Sequence, residues 1–123
     1  MKEKITHITV DDIEYPIMFD FNIICWLQNN YGSTNKWYEL ISPTKDENNP
    51  DNEPKYEVIL ESIKEMINEG IDYENDCKNS NRKFLTTKQV GRILTSYGVV
   101  NAVAKLKQAM ADSADSDDES KNE

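Results

Sequence analysis

The chain has 123 residues, 37% of them hydrophobic and 30% charged, with a formal net charge of −9. This length fits one domain around one modest core, and no apolar run approaches the ~20 residues that a membrane span needs. The opening Met1-Lys2-Glu3-Lys4 leads into no signal-peptide core. An acidic balance also speaks against nucleic acid, whose phosphates supply most of the affinity in such complexes. Much of the acidity is terminal: Asp112 to Glu123 hold six acids and one lysine, and the preceding 111 residues hold 17 acids and 13 bases.

Ile5 to Val10 is rich in β-branched residues, and Ile13, Tyr15, Ile17 and Phe19 then alternate with Glu14, Pro16, Met18 and Asp20. That period of two predicts a half-buried strand, and Asp11-Asp12 supplies a tight turn, so the N-terminus is expected to be a β-hairpin. Pro16 has no N–H to donate, which predicts a free strand edge there and permits self-association. A lone hairpin is marginal in water, so helices must cover its apolar face.

A first helix is expected over 22–31, capped by Asp20 or Asn22 and ended by Gly32. Ile23, Ile24, Trp26 and Leu27 make it apolar over much of its surface, which predicts a central place in the core. Cys25 lies inside that run and reads as a small buried hydrophobe. A short second helix is expected over 34–41. Residues 42–54 hold three prolines, three asparagines and four acids, which predicts an exposed loop.

Pro54 suits the first turn of a third helix. Tyr56, Ile59, Leu60, Ile63, Met66 and Ile67 carry its stripe, and Gly70 is expected to close it. Residues 72–83 are polar and ambiguous. Thr86-x-x-Gln89 matches a capping box, predicting a fourth helix with Val90, Ile93, Leu94 and Tyr97 as its stripe and Gly98 at its end. Val99, Val103, Leu106 and Met110 predict a fifth helix. After Ala111 there is no large apolar residue to repay the entropy of ordering, so 112–123 is expected to be disordered.

Chemistry-bearing motifs are scarce. His7 is the one histidine, within a strand and next to no nucleophile in sequence. Four glycines and one histidine leave no phosphate loop, nucleophile elbow or HExxH motif. Cys25 and Cys77 are too far apart in sequence for a CxxC site. Asp72, Glu74 and Asp76 alternate like the start of a calcium loop, but the glycine and glutamate of that loop are replaced by Cys77 and Lys83. Residues 85–110 have the outline of a helix-turn-helix, but the second helix offers only Lys105, Lys107 and Gln108 as polar contacts, and a core-packing αα-hairpin is the simpler reading. No catalytic, cofactor-binding or metal-binding residue is therefore assigned, and the chain is not expected to be an enzyme.

The order of segments carries the remaining information. A Thr9-Val-Asp-Asp-Ile-Glu-Tyr-Pro-Ile17 hairpin leads into a helix ending Asn30-Tyr31-Gly32-Ser33. An acidic insert follows, then a helix ending Met66-Ile-Asn-Glu-Gly-Ile71, then Leu85-Thr-Thr-Lys-Gln-Val-Gly91, a last helix and a charged tail. Over residues 3–111 this resembles the small tail assembly chaperones of siphoviruses and prophages of Gram-positive bacteria. The resemblance implies a non-enzymatic protein of the host cytoplasm that binds the phage tape measure protein, helps recruit the major tail tube protein, and is absent from the mature virion. It implies no cofactor, no nucleic acid and no membrane. Other readings are a small acidic phage regulator or inhibitor, and a structural subunit of the mature tail.

The expected architecture is thus α+β: a hairpin packed on four to five helices in a single domain over 1–111, with a disordered acidic tail over 112–123. The candidate partner-binding residues are Val99, Val103, Leu106 and Met110. The same spacing suits a core stripe, so these four serve either packing or a partner.

Overall fold

One long helix organises the molecule. The computed structural model describes residues 5–43, 47, 48 and 50–121, with backbone alone from 114. The elements in chain order are β1 (Thr6–Val10), β2 (Ile13–Ile17), α1 (Phe21–Tyr31), α2 (Thr34–Ile41), α3 (Tyr56–Cys77), α4 (Thr87–Tyr97) and α5 (Val99–Lys121). The fold is α+β, an antiparallel two-stranded hairpin packed on five helices. On α3, Ile59, Ser62, Ile63, Met66, Ile67, Gly70 and Ile71 are all buried. They recur at helical spacing as one unbroken stripe, and α3 contacts β2 and each of the other four helices.

The hairpin turn is Asp11-Asp12, both with positive φ (52° and 66°). That is the pattern of the two-residue turn whose twist matches the strands, and aspartate tolerates it. The register pairs Val10 with Ile13, Ile8 with Tyr15, His7 with Pro16 and Thr6 with Ile17. Counting from the tight turn, His7–Pro16 is a pair without ladder hydrogen bonds, so the missing proline N–H costs the hairpin nothing.

The strict inside–outside alternation fails at the end of β2. Ile17 and Phe19 are buried and Tyr15 is half-buried as expected, but Pro16 and Met18 are buried too and Ile13 is exposed. The cause is α3, which covers the Pro16 face. The Met18 N–H donates to the Met66 carbonyl (3.1 Å), and one turn later Gly70 lies under the proline ring. A Cβ at Gly70 would stand 2.8 Å from Pro16 Cβ. Gly70 therefore does not end the helix; it lies seven residues inside it, where only a missing side chain lets the hairpin approach.

α1 is capped by Asp20, which accepts from the Ile23 N–H (3.1 Å), and ends at Gly32 with φ 94°. Only Ile23 and Leu27 of this helix are buried. Cys25 is exposed and free, correcting the expectation of a buried thiol: two residues on from Ile23 is about 200° around the helix, on the side away from the core. Instead the core takes Trp37 of α2, fully buried, whose Nε1–H donates to Ser62 Oγ at 2.8 Å. Pro54 precedes α3 rather than lying in its first turn; Lys55 is the N-cap.

The ambiguous stretch after Asp72 divides in two. It is helical to Cys77, so Asp72, Glu74 and Asp76 project from a helix instead of encircling a loop. The chain then runs back along α3, held by two asparagines. Asn75 exchanges hydrogen bonds with the backbone of Arg82 (2.9 and 3.1 Å) and Asn68 with that of Leu85 (3.1 and 2.8 Å). The spacings match: seven residues of helix and three of extended chain both span ~10 Å. α4 opens with the expected capping box, Thr86 N–H to Gln89 Oε1 at 2.8 Å and Gln89 N–H to Thr86 Oγ1 at 3.2 Å.

Gly98, at φ 94°, joins α4 to α5 with no further linker. The backbone of α5 is helical to Lys121, ten residues beyond the expected end at Ala111. Neither glycine nor proline interrupts this run, so no residue forces the helix to stop. Thr6 Oγ1 donates to Asp112 Oδ2 (3.3 Å), tying β1 to the helix at that point. Residues 122 and 123 of the expected tail lie outside the described residues.

Candidate functional site

The first turns of α5 divide their residues between core and surface differently from the expected stripe. Ala102, Leu106 and Ala109 face the core, with Leu106 fully buried. Leu106 is therefore a packing residue, and the assignment of a partner-binding role to it is corrected: no part of its side chain reaches the surface. Val99, Val103 and Met110 are partly buried and pack against the core's edge. Val99 and Val103 line an open groove, and Met110 does not.

That groove, of about 400 Å³, lies between α2, the connection into α3, and α5. Ile41, Pro43, Pro54, Val99, Val100 and Val103 make its apolar surface, with Ser42, Asn52, Ala104 and Lys107 alongside. Val100 is 79% exposed. The Lys107 ammonium donates to Ser42 Oγ (2.8 Å) and stands 5.0 Å over the Tyr38 ring. A second hollow of about 400 Å³ lies between α3 and α4, lined by Tyr56, Ile59, Leu60, Gly91, Leu94, Thr95, Gly98 and, again, Val99. Gly91 leaves it open, since a Cβ there would meet only the tip of Leu60 at 4.0 Å. At its α3 rim, the Tyr56 hydroxyl is raised above its usual range by a hydrogen bond to the Glu53 carboxylate and by that group's charge.

The charge of the chain is segregated around this junction. Residues 78–111 hold seven bases and no acid, whereas residues 1–77 hold 17 acids and six bases. Among the described residues, no carboxylate lies within ion-pair distance of any lysine or arginine, Lys88, Arg92, Lys105 and Lys107 included; the contacts within that distance are those of the His7 imidazole. The segregation was legible in the sequence, but a division at Asp112 alone averages it away. Val100 was missed because it stands one residue off the expected stripe.

Elsewhere the titratable groups serve packing. His7 Nε2 lies 3.6 Å from Glu14 and 3.7 Å from Glu74, joining both strands to α3. The Tyr31 hydroxyl, bonded to Glu61 at 3.2 Å, is pushed up to about 12 by burial and then by that carboxylate. Glu69 is pushed up to about 7, first by its hydrogen bond with Asp20 and then by burial; Asn22 Nδ2 donates to it at 2.9 Å and opposes the shift. Among the described residues, no group of three or more His, Cys, Asp or Glu side chains is placed to hold a metal ion, and no helix is long and apolar enough to cross a membrane. Comparison with protein-family models, curated proteins and solved structures found no match to this chain.

Proposed function

We propose that the chain is a non-enzymatic assembly chaperone that holds an amphipathic helical partner, the phage tape measure protein, in the host cytoplasm while tail tube subunits are recruited. The observation that carries this reading is the apolar surface at the start of α5, with Val100 left 79% exposed. A valine so exposed beside an open apolar groove suits helix-in-groove recognition, in which apolar residues at helical spacing enter the groove together. The order of segments, hairpin first and charged terminus last, supports the identity of the partner through its resemblance to tail assembly chaperones.

The test is co-expression with a phage tape measure protein, which this reading expects to be encoded as a long coiled-coil frame beside this chain's gene. A chaperone keeps that product soluble, co-purifies with it, and is missing from purified virions. Recovery of the chain in virions would instead make it a structural subunit, and co-purification with a host enzyme or repressor in place of the tape measure protein would make it a regulator.

A further inference from the structure

The two hollows at the α4–α5 junction share Val99. Ile41 and Val103 lie towards one end of the combined surface and Leu60 and Leu94 towards the other. On α4, positions 88, 91, 92 and 95 fall on one helix face. Gly91 and Thr95 line the hollow, so the exposed side chains of Lys88 and Arg92 stand along the same edge. Lys107 stands by the other groove. The opposite rim is anionic, where Glu53 meets Tyr56. The surface thus has an apolar floor, the cations Lys88 and Arg92 along its α4 edge, Lys107 at its α2 end and a carboxylate on the α3 side.

Three occupants compete for such a surface. A second copy of this chain brings its own charge of −9 and is repelled as it approaches. Nucleic acid would satisfy the cations but leave the apolar floor wet and meet Glu53. An amphipathic helix with acids on one flank satisfies both floor and edge.

We propose that the two hollows meeting at Val99 form one continuous seat for an amphipathic helix whose acidic flank lies against Lys88, Arg92 and Lys107. This rests on the reading that the chain holds a helical partner, and adds where the partner lies and which of its faces is acidic. The full chain is titrated against a fluorescent peptide of about 18 residues (~27 Å as a helix) with a leucine stripe and one glutamate flank, and against its twin with lysines on that flank. The glutamate peptide binds at least about tenfold more tightly.

Val100→Asp puts an acid in the first turn of α5, where the helix dipole favours it. It weakens glutamate-peptide binding about tenfold or more while the melting temperature holds. The double variant Lys88→Glu, Arg92→Glu reverses the preference between the peptides. Failure of the glutamate peptide to bind, equal binding of the two, or indifference to Val100→Asp overturns the proposal. So does a dimer in sedimentation equilibrium that Val100→Asp dissolves. Tight binding of a short DNA duplex that the double variant abolishes and Val100→Asp spares would also overturn it. If the tape measure protein still co-purifies with the Val100→Asp variant, the seat is wrong and the chaperone reading stands. If it never co-purifies and the glutamate peptide binds as described, the chaperone reading fails and the seat stands.

Discussion

Gly70→Ala tests how the hairpin is held. In an exposed helix interior this substitution stabilises by about 1 kcal/mol through helix propensity. Here the new Cβ would lie 2.8 Å from Pro16 Cβ, 2.9 Å from Cγ and 3.3 Å from the proline's carbonyl carbon. Carbon atoms pack best at ~3.5–4.0 Å, so β2 and α3 must separate by more than half an ångström. Neither ring nor backbone can swing aside, and the Met18–Met66 hydrogen bond one turn away resists the separation. Overpacking of this kind costs roughly 1–3 kcal/mol, occasionally more. The net expectation is a loss of up to about 2 kcal/mol, or as much as roughly 8 °C in Tm for a domain of this size.

The assay is urea and thermal unfolding followed by tryptophan fluorescence and circular dichroism, carried through a double-mutant cycle with Pro16→Gly. Removing the ring removes the clash, so in the Pro16→Gly background Gly70→Ala turns neutral or stabilising. If Gly70→Ala stabilises the otherwise native chain, or costs the same with and without Pro16, the close approach is not what requires glycine and the reasoning is refuted.

Ser62→Ala strands the buried Trp37 indole N–H, which bonds to Ser62 Oγ at 2.8 Å, and should cost about 1–3 kcal/mol in urea unfolding. Thr86→Ala removes one half of the capping box and should cost about 1 kcal/mol by the same measurement. Glu69 titrates near 7 in the folded chain against an ordinary 4.5, so the folded state holds its proton more tightly. The stabilisation is fully present below pH 4.5 and is lost as pH rises towards 7. Glu69→Gln should therefore gain on the native chain across that window, by about 1–2 kcal/mol after solvent screening, and a flat difference between pH 4.5 and 8 would contradict it. Deleting 114–123 removes no large apolar side chain, and Tm should shift by less than about 2 °C.

Local rules were legible where local physics decides. The Asp11-Asp12 turn, the bounds of α2 and the Thr86–Gln89 box are each fixed by residues within a few positions of one another, and each stands as read. Gly70 was misread because a glycine that ends a helix and one that admits a neighbouring strand look alike in sequence; Pro16, 54 positions away, makes the difference. Cys25 was misplaced because a run of consecutive apolar residues does not specify which side of a helix faces in. Trp37 went unnoticed for the opposite reason: polar neighbours hid a side chain whose partner, Ser62, lies on another helix.

The same limit explains the candidate site. Spacing alone gave α5 one stripe and offered it either to the core or to a partner. The helix instead divides the work around its circumference: Ala102, Leu106 and Ala109 anchor it, while Val99, Val100 and Val103 open towards the grooves. Two of the three anchors are alanines, which bring α5 close to its neighbours. The lysines at 105 and 107 then sit within the 34-residue stretch that contains no acid. With Lys88 and Arg92 exposed on α4 and Lys107 lining the groove, that acid-free stretch sets cations beside an exposed apolar surface, an arrangement that suits a partner bringing the acids itself.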